Sequence, residues 1–316
     1  MDLAVTSPPY NIGKRYEKAD RFSEVEYRRF MEAIVEVLKQ KLQRTGSVCW
    51  QVGNQVRDNE IFPLDYLAYQ VFFKQGFKLR NRIIWRFNFG LNNTARFSGR
   101  YETVLWFTRG DNYKFNLDPV RIPQLYPGKR HAARKASKAG TPSGNPLGKN
   151  PSDFWEFRPV EAFEINTVWE IPNVKAAHPE KTMHPCQFPV ELVERCVLAL
   201  TDTGDLVVDP FVGVGASVIA AEKHGRRALG IERDLNYAML ARERLRQFRQ
   251  GELTLRPLGK PVTKPNVNQK VAHCLWSGGM ARRKGSKGTK KLSKEELADR
   301  RRKAAHKRLV RNASAR

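Results

Sequence analysis

The chain has 316 residues, of which 41% are hydrophobic, which is enough for one large α/β domain with an insert and a tail. No apolar stretch is long enough to span a membrane, and four scattered cysteines without a C-x-x-C pair favour a reducing, cytoplasmic environment over a disulfide framework or a metal site. The formal net charge of +25 favours a polyanionic partner, with nucleic acid the first class to consider.

The first half of the chain shows strand and helix patterns in turn. A short apolar run predicts a strand that ends at T-S-P-P-Y, residues 6–10, because consecutive prolines cannot continue a helix or a central strand. A helix is predicted over 25–42, followed by a strand over 46–52, a helix from near Pro63, and strands over 80–87 and 101–108. The buried face of the first helix is predicted to hold Phe30, Ile34, Val37, Leu38 and Leu42.

The second half follows a basic loop, residues 127–150, that is rich in glycine and proline. The predicted elements are a helix over 189–200, a strand over 206–208, a helix over 216–223, a strand over 227–231 and a helix over 235–248. Alternating strands and helices indicate an α/β fold, with a mostly parallel sheet covered by helices on both faces. The strongly basic segment 251–316 is predicted to be a largely disordered tail.

The stretch L-V-V-D-P-F-V-G-V-G contains a glycine turn between a strand and a helix, which suits close approach of a ligand to the backbone. Glu232 follows Gly213 by 19 residues, at the end of the next strand, where a carboxylate can bind both hydroxyls of a ribose. Asp209 is suited to a cationic amino group, and the G-x-G-x-x-G and G-K-[ST] patterns of pyrophosphate sites are missing. S-adenosylmethionine has both groups, a ribose for Glu232 and a cationic amino group for Asp209. An ordinary structural βαβ unit is the alternative.

Two of these motifs together resemble a known family. T-S-P-P-Y and D-P-F-V-G-V-G are similar to motifs IV and I of the amino-group DNA methyltransferases. The catalytic motif precedes the cofactor motif, and this circularly permuted order resembles the β class, the N4-cytosine and N6-adenine methylases of bacterial restriction–modification systems. Residues 181–200 resemble motif X of that family, and residues 81–90 and 99–110 resemble its central strands. The resemblance covers about residues 1–250 and implies a Rossmann-like, S-adenosylmethionine-dependent methyltransferase sheet.

The resemblance also implies a set of site residues. The Ser7 hydroxyl and the Pro8 carbonyl would accept hydrogen bonds from the exocyclic amine of a flipped base, with Pro9 keeping the turn rigid and Tyr10 stacking on the base. The cofactor-binding residues implied are Asp209, Phe211, Gly213, Gly215, Glu232 and His184. Serine before Pro-Pro favours N4 of cytosine as the target, with N6 of adenine as the alternative.

The implied domain organisation follows the motif order. Residues 1–87 would form the catalytic part, 88–165 the central strands and the target-recognition region, 166–250 the cofactor-binding part and 251–316 the tail. The implied partners are double-stranded DNA and a cognate restriction endonuclease of the same system, and the chain could act as a monomer or a homodimer.

An alternative of another class is a DNA-binding protein that has kept the methylase fold without turnover. It stays open because the turn reads Gly215-Ala216-Ser217 where the family usually has Gly-Thr, and because T-S-P-P-Y begins five residues after Met1. The P-C-Q at 185–187 also occurs in C5-cytosine methylases, but the order of motifs here is the reverse of theirs. We therefore interpret Cys186 as structural.

Overall fold

The computed structural model describes most of the chain up to residue 258. Its described residues are 1–13, 17, 22–57, 59–87, 93–124, 126, 128–132, 137–155, 174 and 178–258. All of them belong to one unit, Met1–Lys264. The predicted tail beyond residue 258 and part of the predicted recognition region, notably 156–165, lie outside the described residues.

A mostly parallel sheet forms the centre of the fold. The described strands are β1 (Leu3–Thr6), β2 (Ser47–Val52), β3 (Asn54–Arg57), β4 (Glu60–Pro63), β5 (Lys78–Arg86), β6 (Tyr101–Thr108), β7 (Phe154–Trp155), β8 (Leu206–Asp209) and β9 (Arg227–Gly230). Among them, seven form one sheet in the order β7-β5-β6-β2-β1-β8-β9, and β3 pairs with β4 in a separate hairpin. Only β6 runs antiparallel to its described neighbours, β2 and β5. The predicted sheet type is thereby confirmed.

Helices cover both faces of this sheet, as predicted. The described helices are α1 (Glu24–Lys41), α2 (Leu64–Lys74), α3 (Val190–Leu200), α4 (Ala216–Lys223) and α5 (Leu235–Arg249). Side chains of β1 alternate between the faces: Leu3 and Val5 belong to the core beneath α3 and α4, whereas Ala4 belongs to the core beneath α1 and α2. None of the described helices is long and apolar enough to cross a bilayer.

The buried face of α1 differs from the predicted one. The buried residues of α1 are Tyr27, Met31, Val35 and Leu38. Val37, which the prediction placed in the core, is 53% exposed, and Phe30 and Ile34 are only partly buried. The prediction was wrong for Val37 because a second stripe of helical spacing, which begins at Tyr27, fills the space above the sheet.

β1 is short but firmly held in the middle of the sheet. Leu3 pairs with both Ser47 of β2 and Val207 of β8, and the Asp2 amide donates to the Leu206 carbonyl at 2.9 Å. The N-terminal ammonium group donates to the Lys41 carbonyl at 3.0 Å. Because β1 and β8 are parallel, the turns that follow both strands leave the sheet at the same carboxyl edge.

Candidate active site at the carboxyl edge of the sheet

A cavity of about 580 Å³ opens at the carboxyl edge of β1 and β8. Four segments line it: the turn after β1, the following loop with the first turns of α1, the segment that precedes α3, and the glycine turn with the loop after β9 and the start of α5. Eight of the ten predicted site residues line this cavity: Ser7, Pro8, Pro9, Tyr10, His184, Phe211, Gly213 and Glu232. Segments that are some two hundred residues apart in the sequence therefore meet at one site, and in open α/β sheets ligands bind at this edge.

Side chains from outside hold the turn after β1. The Pro9 carbonyl accepts a hydrogen bond from the Tyr27 hydroxyl at 2.7 Å, and the Tyr10 carbonyl accepts one from the Gln55 amide. Asn11 has a φ of +55°, and its amide donates to the buried Glu17 carboxylate at 2.9 Å. The two prolines and these contacts fix the positions of the Ser7 hydroxyl and of the Pro8 carbonyl.

The glycine turn after β8 binds the carboxylate of Glu232, which lies in the loop after β9. The Gly213 amide donates to Oε2 of Glu232 at 2.9 Å, and the Asp234 amide donates to Oε1 at 2.9 Å. Gly213 and Gly215 have φ values of +52° and +86°, a region that favours glycine. Gly215 does not line the cavity; a Cβ atom there would lie 3.2 Å from Cβ of Ala241 in α5, so this glycine supports the turn from behind.

Asp209 also lies behind the cavity wall. Its Oδ1 accepts hydrogen bonds from the Thr6 hydroxyl at 2.5 Å and the Phe211 amide at 3.0 Å, and its Oδ2 accepts from the Ser217 hydroxyl at 2.6 Å. Burial raises the pKa of Asp209 to about 6, although the three hydrogen bonds oppose this shift. The carboxylate thus ties the end of β1 to the glycine turn, and its predicted contact with a cationic group stays a prediction.

His184 forms part of the cavity wall beside the glycine turn, where a Cβ atom on Gly213 would lie 3.5 Å from its Nε2. Its ring packs edge-on against Tyr237, with ring centroids 4.6 Å apart, and its Nδ1 accepts from the Cys186 amide at 3.2 Å. Burial, followed by the charge of Lys181, lowers the pKa of His184 to about 4. The ring is therefore neutral near pH 7, with its proton on Nε2.

The segment that carries His184 is anchored by buried charges. Glu180 accepts hydrogen bonds from the Val190 amide at 2.9 Å and the Arg256 amide at 3.2 Å. The buried guanidinium of Arg256 also contacts the Glu191 carboxylate of α3. Arg256 falls in the segment that composition assigned to the tail, but its ion pair fastens residues 251–258 to the domain instead.

A second cavity, of about 650 Å³, lies on the other side of Tyr10. Both cavities are lined by Tyr10, Cys186, Gln187 and Phe188. Gln51 and Glu102 line the second cavity, together with Phe97, whose side chain is 99% exposed. Among the described residues, no group of three or more histidines, cysteines, aspartates or glutamates is placed to hold a metal ion.

The sequence prediction missed several residues of this site. Tyr27, Gln51, Gln55 and Glu102 contact the turn after β1 or the residues around it, but no motif marks them. Glu102 offered one signal, since it is the one carboxylate in the mostly apolar strand β6. Gln51 offered a similar signal near the end of β2, where four of the other five residues are hydrophobic.

Comparison with known proteins shows the family. A family model described as DNA methylase, covering N6 and N4 methylases, matches residues 1–243. The chain belongs to this family. It is 42% identical over 242 residues to the Type II methyltransferase M.BglII of Bacillus subtilis, which is 76% of this chain and 62% of that protein. It is 35% identical over 249 residues to the Type II methyltransferase M.ScaI of Streptomyces caespitosus, which is 78% of this chain and 75% of that protein.

A solved structure supports the fold. The PvuII DNA methyltransferase (cytosine-N4-specific) aligns with a TM-score of 0.56 at 18% identity, over 80% of this chain and 86% of that chain. The predicted resemblance to the amino-group methyltransferases of restriction–modification systems is therefore confirmed by sequence, and the methyltransferase fold by structure. The match spans less than two thirds of the length of M.BglII.

Proposed function

We propose that this chain transfers the methyl group of S-adenosylmethionine to N4 of a cytosine in double-stranded DNA. The observation that carries the proposal is the meeting of two motifs at one cavity. Ser7 and Pro8 line it from the turn after β1, and Glu232 lines it from the loop after β9. A nucleophile held at the first motif would face a methyl donor held at the second.

The residues of the first cavity fit S-adenosylmethionine. Each carboxylate oxygen of Glu232 accepts a hydrogen bond from one backbone N–H and keeps a lone pair for a ribose hydroxyl. The rings of Phe30 and Phe211, with centroids 5.8 Å apart, form an apolar wall suited to a purine. The cavity volume of about 580 Å³ is typical of sites for cofactor-sized ligands. When bound, this cofactor supplies an electrophilic methyl group on a positively charged sulfur.

The chain's own contribution is to make the target amine nucleophilic. The lone pair of an exocyclic amine is conjugated with its ring and is a poor nucleophile. Hydrogen bonds from the two amine hydrogens to the Ser7 hydroxyl oxygen and the Pro8 carbonyl would favour a pyramidal nitrogen. Because the prolines restrict the backbone that carries both acceptors, and Ser7 contacts the Tyr10 hydroxyl, little reorganisation is needed when the base arrives.

The choice of N4-cytosine rests on Ser7. In the methylases that this chain resembles, serine before Pro-Pro mostly accompanies cytosine and aspartate mostly accompanies adenine. N6-adenine transfer is the second candidate, because the matching family model covers both activities. In this proposal residues 88–165 recognise the target sequence, and a cognate restriction endonuclease acts on the same sequence.

The test is methyl transfer itself. The purified chain would be incubated with labelled S-adenosylmethionine and amplified DNA, whose exocyclic amines are unmethylated, and the DNA then digested to nucleosides. Label in N4-methylcytosine is the expected result, and label in N6-methyladenine would favour the second candidate. Tight binding of S-adenosylmethionine and DNA without label in the DNA would instead support a DNA-binding protein without turnover.

A further inference from the structure

Four polar side chains form a hydrogen-bond network in the wall between the two cavities. The Ser7 hydroxyl donates to the Tyr10 hydroxyl at 3.4 Å, and the Tyr10 hydroxyl donates to Oε2 of Glu102 at 3.3 Å. The Gln51 amide donates to the same oxygen of Glu102. Glu102 lies on β6 and Gln51 on the neighbouring strand β2, so the sheet fixes these two members of the hydrogen-bond network.

The direction of each hydrogen bond in this network follows from the chemistry of the two groups that form it. A carboxylate can only accept hydrogen bonds, whereas a hydroxyl donates one and accepts others. With its own proton directed to Glu102, the Tyr10 oxygen is left to accept the proton of Ser7. The lone pairs of the Ser7 hydroxyl oxygen are then available to a donor from outside the network, such as the N–H of a target amine.

We propose that Glu102 is a positioning residue, which acts through Tyr10 to turn the Ser7 proton away from the target amine. A serine hydroxyl free to rotate could present its proton to the amine, and a donor facing a donor would oppose base binding in the reactive geometry. Glu102 removes that orientation. This role deepens the methyl-transfer function proposed above and rests on it.

The backbone at the end of β2 leaves room for the side chains of this hydrogen-bond network. A Cβ atom on Gly53, which follows β2, would lie 3.0 Å from Cε2 of Tyr10 and 3.2 Å from Oε1 of Glu102. The missing side chain therefore lets the ring and the carboxylate approach the end of β2 together. Burial and, after it, the charge of Glu102 raise the pKa of Tyr10, so the phenol keeps the proton that it donates.

Glu102→Gln and Tyr10→Phe, alone and combined, test the role. We expect each single variant to lower the single-turnover rate of methyl transfer into amplified DNA about tenfold, because Tyr10→Phe removes one hydrogen bond and Glu102→Gln replaces a group that can only accept with an amide that can also donate. Because both residues act through the same hydrogen-bond network, the double variant should be no more than about twofold slower than either single variant. The dissociation constant of S-adenosylmethionine should stay within about twofold for Glu102→Gln, since Glu102 does not line the first cavity. Glu36→Gln, on the exposed side of α1, is the matched control.

Additive losses in the double variant, or a rate for Tyr10→Phe equal to that of the unchanged protein, would overturn the positioning role. Tyr10→Phe keeps the ring and decides the matter even if Glu102→Gln does not fold. A second readout is the titration of Tyr10 followed by NMR of ¹³Cζ-labelled tyrosine. Glu102→Gln should lower the pKa of Tyr10, and an unchanged pKa would mean that the contact is absent. This titration needs no turnover, so it separates failure of the positioning role from failure of methyl transfer.

Discussion

The two turns that meet at the carboxyl edge of the sheet are held in different ways. The turn after β8 depends on its own backbone, because Gly213 and Gly215 adopt positive φ and the Gly213 amide reaches Glu232 only 19 residues along the chain. Its geometry is encoded locally. A short sequence motif is sufficient to recognise such a turn.

The turn after β1 depends on distant side chains instead. Tyr27 holds the Pro9 carbonyl from α1, and Glu102 holds the Tyr10 hydroxyl from a position 92 residues away in the sequence. The two prolines restrict the backbone, but the orientation of the polar groups comes from packing across the sheet. The comparison teaches that the reactive geometry depends on the assembled fold more than the cofactor turn does.

Removal of the Ser7 hydroxyl should have the largest effect on the turn after β1. We expect Ser7→Ala to lower the single-turnover rate about 10²- to 10³-fold, because one preorganised hydrogen-bonding group is lost. Thr203→Ala, an exposed hydroxyl in the loop before β8, is the matched control and should leave the rate unchanged. Binding of S-adenosylmethionine, measured by calorimetry, should change far less than the rate in Ser7→Ala. Wild-type turnover in Ser7→Ala would rule out the assigned acceptor role.

Asp209 joins the two turns, and its titration tests that link. Its folded-state pKa of about 6 lies above the unfolded value of 3.8, so its favourable contribution is complete below about pH 4 and is lost as the pH rises through 6. We expect the free energy of unfolding to fall by about 3 kcal/mol relative to Asp209→Asn across that window. Urea unfolding from pH 4 to pH 7 measures it.

The control for this measurement is Asp153→Asn, an exposed carboxylate, whose stability curve should run parallel to that of the unchanged protein. Parallel curves for Asp209→Asn as well would mean that the buried carboxylate does not titrate in this range.

Much of the fold was predictable because its signals are local. Strand β6 over Tyr101–Thr108 and helix α4 over Ala216–Lys223 match their predictions at both ends, since apolar periodicity and flanking turns mark them. The β3–β4 hairpin was missed, because its two strands have only four residues each, too few to show an apolar period. β7 was missed as well, because two residues give no periodicity and only pairing with β5 defines it.

The candidate site likewise contains residues that a local motif predicts and residues that only the folded structure reveals. Gly213 and Glu232 were predicted from spacing and Phe211 from the family resemblance, and all three line the first cavity. The partners of the turn after β1 were not predicted, because hydrogen bonds such as that of Gln55 to Tyr10 join residues whose separation carries no pattern. Motifs and their resemblance to a family thus predict the site, whereas the groups that orient its polar atoms become visible only in the folded chain.

Gly215 tests how strictly the glycine turn depends on its backbone. Gly215→Ala should destabilise the fold by about 2 kcal/mol, because alanine is strained at a φ of +86° and its Cβ would press on Ala241 at 3.2 Å. Gly204→Ala is the matched control, with a φ of +85° and open space around it. The larger loss for Gly215→Ala in thermal unfolding would measure packing against α5, and equal losses would show that strain alone matters.

Tyr27 tests the dependence of the other turn on a distant partner, with the smallest expected effect. Tyr27→Phe removes the hydrogen bond to the Pro9 carbonyl and should cost about 1 kcal/mol of stability. Tyr66→Phe, on a side chain that is 60% exposed, is the matched control and should cost little. Because the prolines still restrict the backbone, we expect methyl transfer to slow only severalfold in Tyr27→Phe. A loss as large as that of Ser7→Ala would mean that the distant side chain, more than the two prolines, sets the position of the Ser7 hydroxyl.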